Sequence, residues 1–234
     1  NAQLLDVQQQ LEIKLQGISS LQEAILKAEN AVDELTKKVN LVGEKISTKR
    51  KQVIPKLQKA IIDLLHLVKM PHSNLSIELD SSDVPSQYGL DNIQLLFSAN
   101  KGGDLQELSK VASGGELSRL MLCIKSITSE HIALPSIVFD EIDTGVSGEV
   151  ADKMGTIMRK MGQKMQVISI THLPQIAGKG HDHFYVYKDE RAGLTKSSIK
   201  KLNENERVDE LAKMLSGAEM TNAAVENARE LLKQ

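Results

Sequence analysis

Two adjacent carboxylates, Asp140 and Glu141, follow a short apolar run at residues 137–139. A continuous apolar run between helical patterns predicts a buried strand of a parallel sheet. In an open α/β sheet, ligands bind just beyond the carboxyl ends of the strands. There, one carboxylate can hold Mg²⁺ through water, and its neighbour can orient or deprotonate the attacking water of a phosphoryl transfer. The alternative is an ordinary strand exit with two solvated acids.

His172 stands at the end of a second predicted buried strand, residues 167–170. Because the carboxyl ends of neighbouring parallel strands meet at one edge of a sheet, we expect His172 to lie beside Asp140 and Glu141. An imidazole in that position can donate a hydrogen bond to a γ-phosphate oxygen. A lone loop histidine is the alternative interpretation.

Ser113, Gly114, Gly115 and Glu116 directly precede a helical pattern of apolar residues. A capping box explains two of these four residues, since Ser113 would be the N-cap and Glu116 would reach back to it. It does not explain two adjacent glycines, which lower helix propensity. Bare backbone N–H groups at a helix N-terminus can bind a phosphate, so an anion site is the second interpretation.

A heptad repeat over residues 1–54 predicts a coiled-coil arm. One apolar stripe recurs every seven residues, at Leu4, Leu11, Ile18, Ile25, Val32, Val39, Ile46 and Val53. A second stripe three residues later is interrupted at Lys14 and Lys49. The period of 3.5 indicates a left-handed supercoil, with an amphipathic helix packed on a globular core as the alternative. We expect the partner helix in an upstream segment, because the sequence opens within the pattern, or in another chain.

The remaining residues predict an α/β lobe. Pro55 is expected to restart a helix that Pro71 ends. Alternating apolar residues predict strands around 75–79 and 93–97, with turns at 81–89 and 101–104. The other expected elements are a helix after Ser113, a helix at 147–162, an antiparallel hairpin at 183–201, and helices near 206–216 and 221–233. The two apolar strands are expected to form a parallel sheet covered on both faces.

The order and spacing of the three motifs resemble the distal half of ABC-type ATPase heads: signature motif, Walker B, D-loop and switch histidine. The closest resemblance is to the RecN family, SMC-like ATPases of recombinational repair of DNA double-strand breaks. It is carried by residues 111–119 (VASGGELSR), 139–148 (FDEIDTGVSG) and 171–177 (THLPQIA). Asp143-Thr144-Gly145, in place of transporter-type or cohesin-type D-loops, separates this family from its relatives. The match covers roughly residues 100–180.

The resemblance implies a role for each matching residue, with ATP and Mg²⁺ as cofactors. The signature segment, Ser113 to Glu116 with Gly114 and Gly115, would contact the γ-phosphate of ATP bound to an opposing head. The other implied roles are Mg²⁺ support for Asp140, general base for Glu141, D-loop residue at the dimer interface for Asp143, and switch histidine for His172.

The sequence contains no G-x-x-x-x-G-K-[ST] motif. In the family this P-loop precedes the coiled coil, so we expect nucleotide binding to need the N-terminal half of the same protein and a second head. We expect the chain alone to be inactive. DNA and recombination proteins are further implied partners. The alternatives are the head of another SMC-like ATPase and a non-catalytic coiled-coil dimerisation module.

The composition restricts the cellular compartment in which the protein is expected. The 234 residues carry a net charge of −2, so no overall basic charge favours nucleic-acid binding. The single cysteine excludes a disulfide framework and favours a reducing compartment, most simply the cytoplasm. The resemblance implies association with the nucleoid. No apolar run predicts a membrane span. Cys123 is expected in the core, and His181 and His183 at a strand start, not on a metal. The hairpin lysines, Lys196, Lys200 and Lys201, are expected on a solvated face, with DNA contact as the alternative.

We therefore predict an α/β fold, the C-terminal half of an ABC/SMC-type P-loop ATPase head. It would combine a parallel sheet, an antiparallel flank and an N-terminal coiled-coil helix. The predicted division is a coiled-coil arm segment at residues 1–54 and a C-terminal lobe of the head at residues 55–234.

Overall fold

The computed structural model describes residues 2–110, 113–191, 194–217 and 220–233. The chain separates into two compact units. The first comprises Asn1–Pro55 and Glu78–Gln94, and the second comprises Lys56–Ile77 and Leu95–Gln234. No helix among the described residues is both long and apolar enough to cross a membrane.

Helix α1 runs continuously from Ala2 to Leu67, so the expected restart at Pro55 is wrong. A proline inside a helix removes one backbone hydrogen bond and crowds the preceding turn. The helical apolar pattern continues beyond it, however, and buries Ile61 and Leu65 in the core of the second unit. That burial favours continuation of the helix. In the first unit, the heptad positions other than the half-buried Ile46 form an exposed apolar stripe, with Leu4 at 72% and Leu35 at 60% exposure.

Strands β1 (Asn74–Ser86) and β2 (Gly89–Ser98) are joined by a two-residue turn. Strand β1 therefore extends through most of the segment where turns were expected. Within the first unit, Asp91 of β2 accepts hydrogen bonds from Ser47 Oγ and Arg50 Nη1 of α1, both at 2.6 Å. These two donors lower the pKa of Asp91. Gly43 permits this packing, because a Cβ there would lie 2.5 Å from Leu90 Cδ1.

The second unit is built on a core shared by the end of α1, helix α2 (Gly114–Ser129) and helix α3 (Gly148–Met161). The short strand β3 (Gln106–Glu107) pairs antiparallel with β2 and leads into a 3-10 turn, Leu108–Lys110. Cys123 of α2 is fully buried, as predicted, and burial raises its pKa to about 12. The largest side chains in this core with less than 2% exposure are Leu65, Val68, Phe97, Leu120, Leu122 and Met154.

Strands β4 (Ser136–Asp140) and β5 (Gln166–Ile170) form the predicted parallel pair. Their inner face packs on the core through Phe139, which is 8% exposed. The described part of this chain covers only one of the two faces, contrary to expectation: Val138, Ile168 and Ile170 are 58%, 44% and 56% exposed. The physical reason is that α2 and α3 supply apolar side chains to one side only. The other side of the pair is an open apolar surface.

After β5 the chain forms the short helix α4 (Pro174–Ala177) and the predicted antiparallel hairpin of β6 (Phe184–Arg191) and β7 (Leu194–Lys201). The predicted terminal helices are α5 (Glu204–Ser216) and α6 (Asn222–Lys233). Helix α5 begins with a complete capping box, in which Asn203 and Glu206 satisfy each other's backbone N–H groups. A small second core joins the two helices through Leu211, Ala212, Ala224 and Ala228.

Candidate nucleotide site at the carboxyl edge of the parallel strands

The parallel register places the residues that follow β4 and those that follow β5 at one edge of the sheet. Asp140 pairs with Ile170, so the segment after β4 and the segment after β5 leave the pair side by side. Asp140 and Glu141 are exposed at this edge, and His172 is 73% exposed. The parallel crossover through α3 therefore gathers residues that are about 30 positions apart in sequence.

Asp143 makes the closest contacts between the two segments. Its side chain is 1% exposed, and its Oδ2 accepts a hydrogen bond of 2.5 Å from Thr171 Oγ1 and one of 3.3 Å from the His172 backbone N–H. His172 Nδ1 lies 3.4 Å from the same oxygen. The other oxygen, Oδ1, is buried and has no partner among the residues that the structure describes. The described contacts of this carboxylate are thus internal, while its expected role at a dimer interface stays a prediction.

Glu141 adopts an unusual backbone conformation, with φ of 52°. A non-glycine residue in the left-handed region costs about 1–3 kcal/mol and is concentrated at functional sites. Its carbonyl accepts from Thr144 Oγ1 at 3.0 Å and from the Thr144 backbone N–H at 3.4 Å. The turn closes at Gly145, whose φ is 71°. These bonds hold the residue after the strand in a tight turn that the sequence pattern did not reveal.

The start of α2 differs from the expected capping box. Ser113 is the N-cap, with φ of −102° and ψ of 114°, but its hydroxyl makes no capping hydrogen bond within the described part of the chain. The capping-box interpretation is therefore wrong: the backbone of Ser113 is extended, as in an ordinary N-cap, but within the described residues its side chain makes no bond like the one that Asn203 makes at the start of α5. Ser113 and Gly114 are exposed, and Glu116 is half-buried. The first turn keeps backbone donors that no side-chain cap occupies.

The two signature glycines have different surroundings. A Cβ on Gly115 would lie 3.3 Å from the carbonyl oxygen of Thr144, so the start of α2 sits against the turn that follows Glu141. A Cβ on Gly114 would meet no described atom within 4 Å. Packing within the chain therefore explains a small residue at 115 and not at 114. Val111 and Ala112, which belong to the same predicted motif, lie outside the described residues.

Thr144 and Thr171 connect the predicted motifs, although sequence reasoning assigned a role to neither. Thr144 links the Glu141 turn to Gly115, and Thr171 links Asp143 to the strand exit before His172. Their contacts depend on tertiary structure, so spacing alone gave no signal for them. A hydroxyl residue directly before the predicted switch histidine was the available clue.

Within the described ranges, no group of three or more His, Cys, Asp or Glu side chains is placed to hold a metal ion. Burial lowers the pKa of His183, which favours its neutral form. Two of the hairpin lysines face acids: Lys200 pairs with Glu206, and Lys201 lies 2.7 Å from Asp182.

Solved structures with a similar fold are Smc head domains. In structure, the chain is similar to the Smc head domain with a coiled coil and joint from Pyrococcus yayanosii, with a TM-score of 0.57 and 15% identity over 87% of this chain and 34% of that one. A Pyrococcus furiosus Smc head domain with an extended coiled coil, bound to the C-terminal domain of ScpA, gives 0.55 and 14% over 78% of this chain and 44% of that one. The fold is thus that of part of an Smc head domain with its coiled coil.

Sequence comparison gives the particular family. The chain is 39% identical over 202 residues to the DNA repair protein RecN of Vibrio cholerae, covering 86% of this chain. It is 40% identical over 224 residues to that of Rickettsia conorii, covering 96%. The chain belongs to the RecN family. It spans 36% and 40% of the length of these two relatives. No protein-family model matches it.

Proposed function

We propose that this chain is the C-terminal part of the head of an SMC-like ATPase that acts in recombinational repair of DNA double-strand breaks. The observation that carries the proposal is the carboxyl edge of the parallel pair. Asp140 and Glu141 leave one strand, Thr171 and His172 leave the next, and buried Asp143 joins the two exits. Both relatives compared above are DNA repair proteins by name, which supports the biological assignment.

At this edge, each exposed side chain has a distinct chemical task. Asp140 offers an oxygen ligand to Mg²⁺, which when bound neutralises charge on the β- and γ-phosphates of ATP. Glu141 orients and deprotonates the attacking water, and His172 donates to the γ-phosphate. Mg²⁺ prefers oxygen ligands and keeps several waters, so one or two carboxylates plus nucleotide oxygens fit it.

The start of α2 serves a second ATP molecule, bound to an opposing head. Its uncapped N–H groups and helix dipole favour an anion. Gly114, which no described neighbour requires to be small, keeps the backbone open to a close phosphate approach. Ser113 and Glu116 flank that opening. Asp143 lies in the D-loop at the interface between the heads.

Two open apolar surfaces, the outer face of β4 and β5 and the heptad stripe of α1, support the proposal that another segment completes the head. The outer face of β4 and β5 exposes Val138, Ile168 and Ile170. Surfaces of this kind mark interaction sites in soluble proteins. We propose that the P-loop half of the same protein covers this face and that its helix pairs with the arm. Residues 1–54 are then the coiled-coil arm, and residues 55–234 the C-terminal lobe.

In the complete protein, ATP clamps two heads together and hydrolysis releases them. DNA and recombination proteins are the proposed partners, in the cytoplasm at the nucleoid. The second candidate is a coiled-coil dimerisation module without catalysis. The exposed heptad stripe favours this second candidate, because such a stripe pairs with another helix. A dimerisation module does not, however, explain the residues gathered at the carboxyl edge of β4 and β5.

The test compares full-length protein with this chain. Full-length protein should hydrolyse ATP in the presence of Mg²⁺ and form ATP-dependent dimers, measured by phosphate release and by light scattering. This chain alone should neither bind labelled ATP tightly nor hydrolyse it, because P-loop amides and lysine supply much of the phosphate affinity. Full-length protein that dimerises without any ATP turnover would favour the dimerisation module. Micromolar ATP binding with turnover by this chain alone would overturn the proposed division of labour.

A further inference from the structure

We propose that Asp143, held in place by Thr171, is a positioning residue that fixes the ring of His172 at the carboxyl edge. The inference rests on the proposed function, since it concerns how the switch histidine is presented to ATP. It assigns an internal task to a carboxylate whose expected role was contact with another head. It also gives a task to Thr171, which carried none.

The geometry of Asp143 supports an orienting role. The carboxylate is 1% exposed, and Oδ2 collects both donors of the opposite strand exit, the Thr171 hydroxyl and the His172 backbone N–H. His172 Nδ1 is 3.4 Å from the same oxygen, although the His172 side chain is 73% exposed. One edge of the ring therefore faces a fixed acceptor while most of the ring remains accessible.

The Thr171 hydroxyl makes the acceptor rigid. It donates to Asp143 Oδ2 at 2.5 Å and accepts from the Leu173 backbone N–H at 3.0 Å. Donor and acceptor functions of this hydroxyl are both used, so its orientation is set from two sides. A β-branched residue also has restricted χ1 rotamers, which adds to this order. Asp143 is thereby tied to the backbone on each side of His172.

Chemistry explains why the ring needs such an anchor. A histidine whose Nδ1–H donates to a carboxylate is held in one tautomer and one ring orientation. At 3.4 Å from Asp143 Oδ2, His172 Nδ1 needs only a small movement of the ring to form that bond. An imidazolium in this orientation still has Nε2–H to donate to an incoming phosphate. A freely rotating ring would spend much of its time misdirected, and small misplacements of catalytic groups cost up to about 10²-fold in rate.

A double-mutant cycle in full-length protein tests the proposal. Asp143→Asn and Thr171→Val should each lower kcat by about 10- to 100-fold with little change in KM for ATP. Thr171→Ser keeps the hydroxyl and should remain close to the parent. In a His172→Ala background, the first two substitutions should change kcat by less than about twofold, because the group on which they act is absent. Equal factors in both backgrounds would show a merely structural role and overturn the inference.

A spectroscopic measurement on this chain separates the inference from the proposed function. Nitrogen-15 NMR at about pH 9, where an ordinary histidine is neutral, reports the imidazole tautomer. The His172 signal, assigned with His172→Gln, should show mainly the Nδ1–H tautomer in the parent and in Thr171→Ser, and a mixture in Thr171→Val and Asp143→Asn. Identical tautomer populations in all folded variants would overturn the positioning role. Inactive full-length parent with the expected tautomers would instead contradict the proposed function alone.

Discussion

The two motif-bearing regions of the second unit are built in opposite ways. At the carboxyl edge, Asp143 is buried and bonded to both sides of the neighbouring strand exit, and Glu141 is held by two bonds from Thr144. At the start of α2, Ser113 caps with its backbone only and Gly114 borders open space. The first region is assembled by contacts within the chain. In the second, Gly115 packs against Thr144, but no side-chain bond within the described residues caps the helix, as expected for a surface that is completed by something outside the chain.

The largest effect is expected from a substitution at the start of α2. Ser113→Arg in full-length protein should abolish ATP-induced dimerisation and hydrolysis, because a long cationic side chain obstructs close phosphate approach at the helix start. ATP binding to the P-loop side should remain measurable by equilibrium dialysis. Unchanged ATPase activity would contradict a signature role for Ser113.

A mixed dimer sharpens the same prediction. Ser113→Arg protein would be combined with a full-length variant lacking the P-loop lysine, so that one composite site is intact and the other is doubly damaged. Activity should recover to at most about half of the parent value, since a twofold dimer has two equivalent sites. An inactive mixture, with mixed dimers demonstrated by crosslinking, would argue against action across the interface or for obligatory coupling of the sites.

The next largest effect is expected from substitutions at the carboxyl edge of β4. Glu141→Gln should keep ATP binding and head pairing but lower hydrolysis by about 10²-fold or more, as expected when a catalytic base is lost. Asp140→Asn should instead raise the Mg²⁺ concentration needed for half-maximal activity. The measurement is steady-state phosphate release over a Mg²⁺ titration. Parent-like hydrolysis by Glu141→Gln would remove Glu141 as the base.

A smaller effect is expected at Gly114. Gly114→Ala should leave the stability of this chain within about 1 kcal/mol of the parent, because a Cβ meets nothing in the described residues and alanine favours helix. In full-length protein it should nevertheless weaken ATP-dependent dimerisation. Gly17→Ala is the matched control, since Gly17 is also a helical glycine with open surroundings, far from the motif in sequence. Equal dimerisation of both variants would remove the reason offered for Gly114.

The smallest effect compares two helix starts. Ser113→Ala should change the free energy of unfolding by no more than a few tenths of a kcal/mol, since no capping bond is lost. Asn203→Ala should cost about 1 kcal/mol, because it removes one half of the capping box of α5. Urea denaturation of this chain measures both. A cost at Ser113 as large as that at Asn203 would show that its hydroxyl caps α2 in solution.

Local patterns predicted most of the elements. The apolar runs at 137–139 and 167–170 gave the parallel strands, and their order gave the shared edge on which the candidate residues lie. The hairpin and the last two helices also followed from periodicity and turn residues. These features depend on neighbours within a few positions, which is the range that sequence patterns report.

The missed features depend on distant contacts. Helix α1 passes Pro55 because Ile61 and Leu65 are buried beyond it. The inward direction of Asp143 requires Thr171, which is 28 positions away. The sequence at Ser113 has the capping-box pattern, but no side-chain capping bond forms there in the described structure. The capping box at Asn203 does form, although we did not predict it. Spacing therefore predicted which strand ends lie side by side, whereas the hydrogen bonds between the two exits needed the three-dimensional structure.

The buried sulfur of Cys123 has a practical consequence. A thiol reacts through its thiolate, and burial both raises the pKa of Cys123 to about 12 and keeps reagents from the sulfur. The sequence contains no other cysteine. Covalent labelling at this atom must therefore wait for α2 to detach from its surroundings. The labelling rate of this chain would then report how often α2, the helix that begins at Gly114, opens, without any introduced probe.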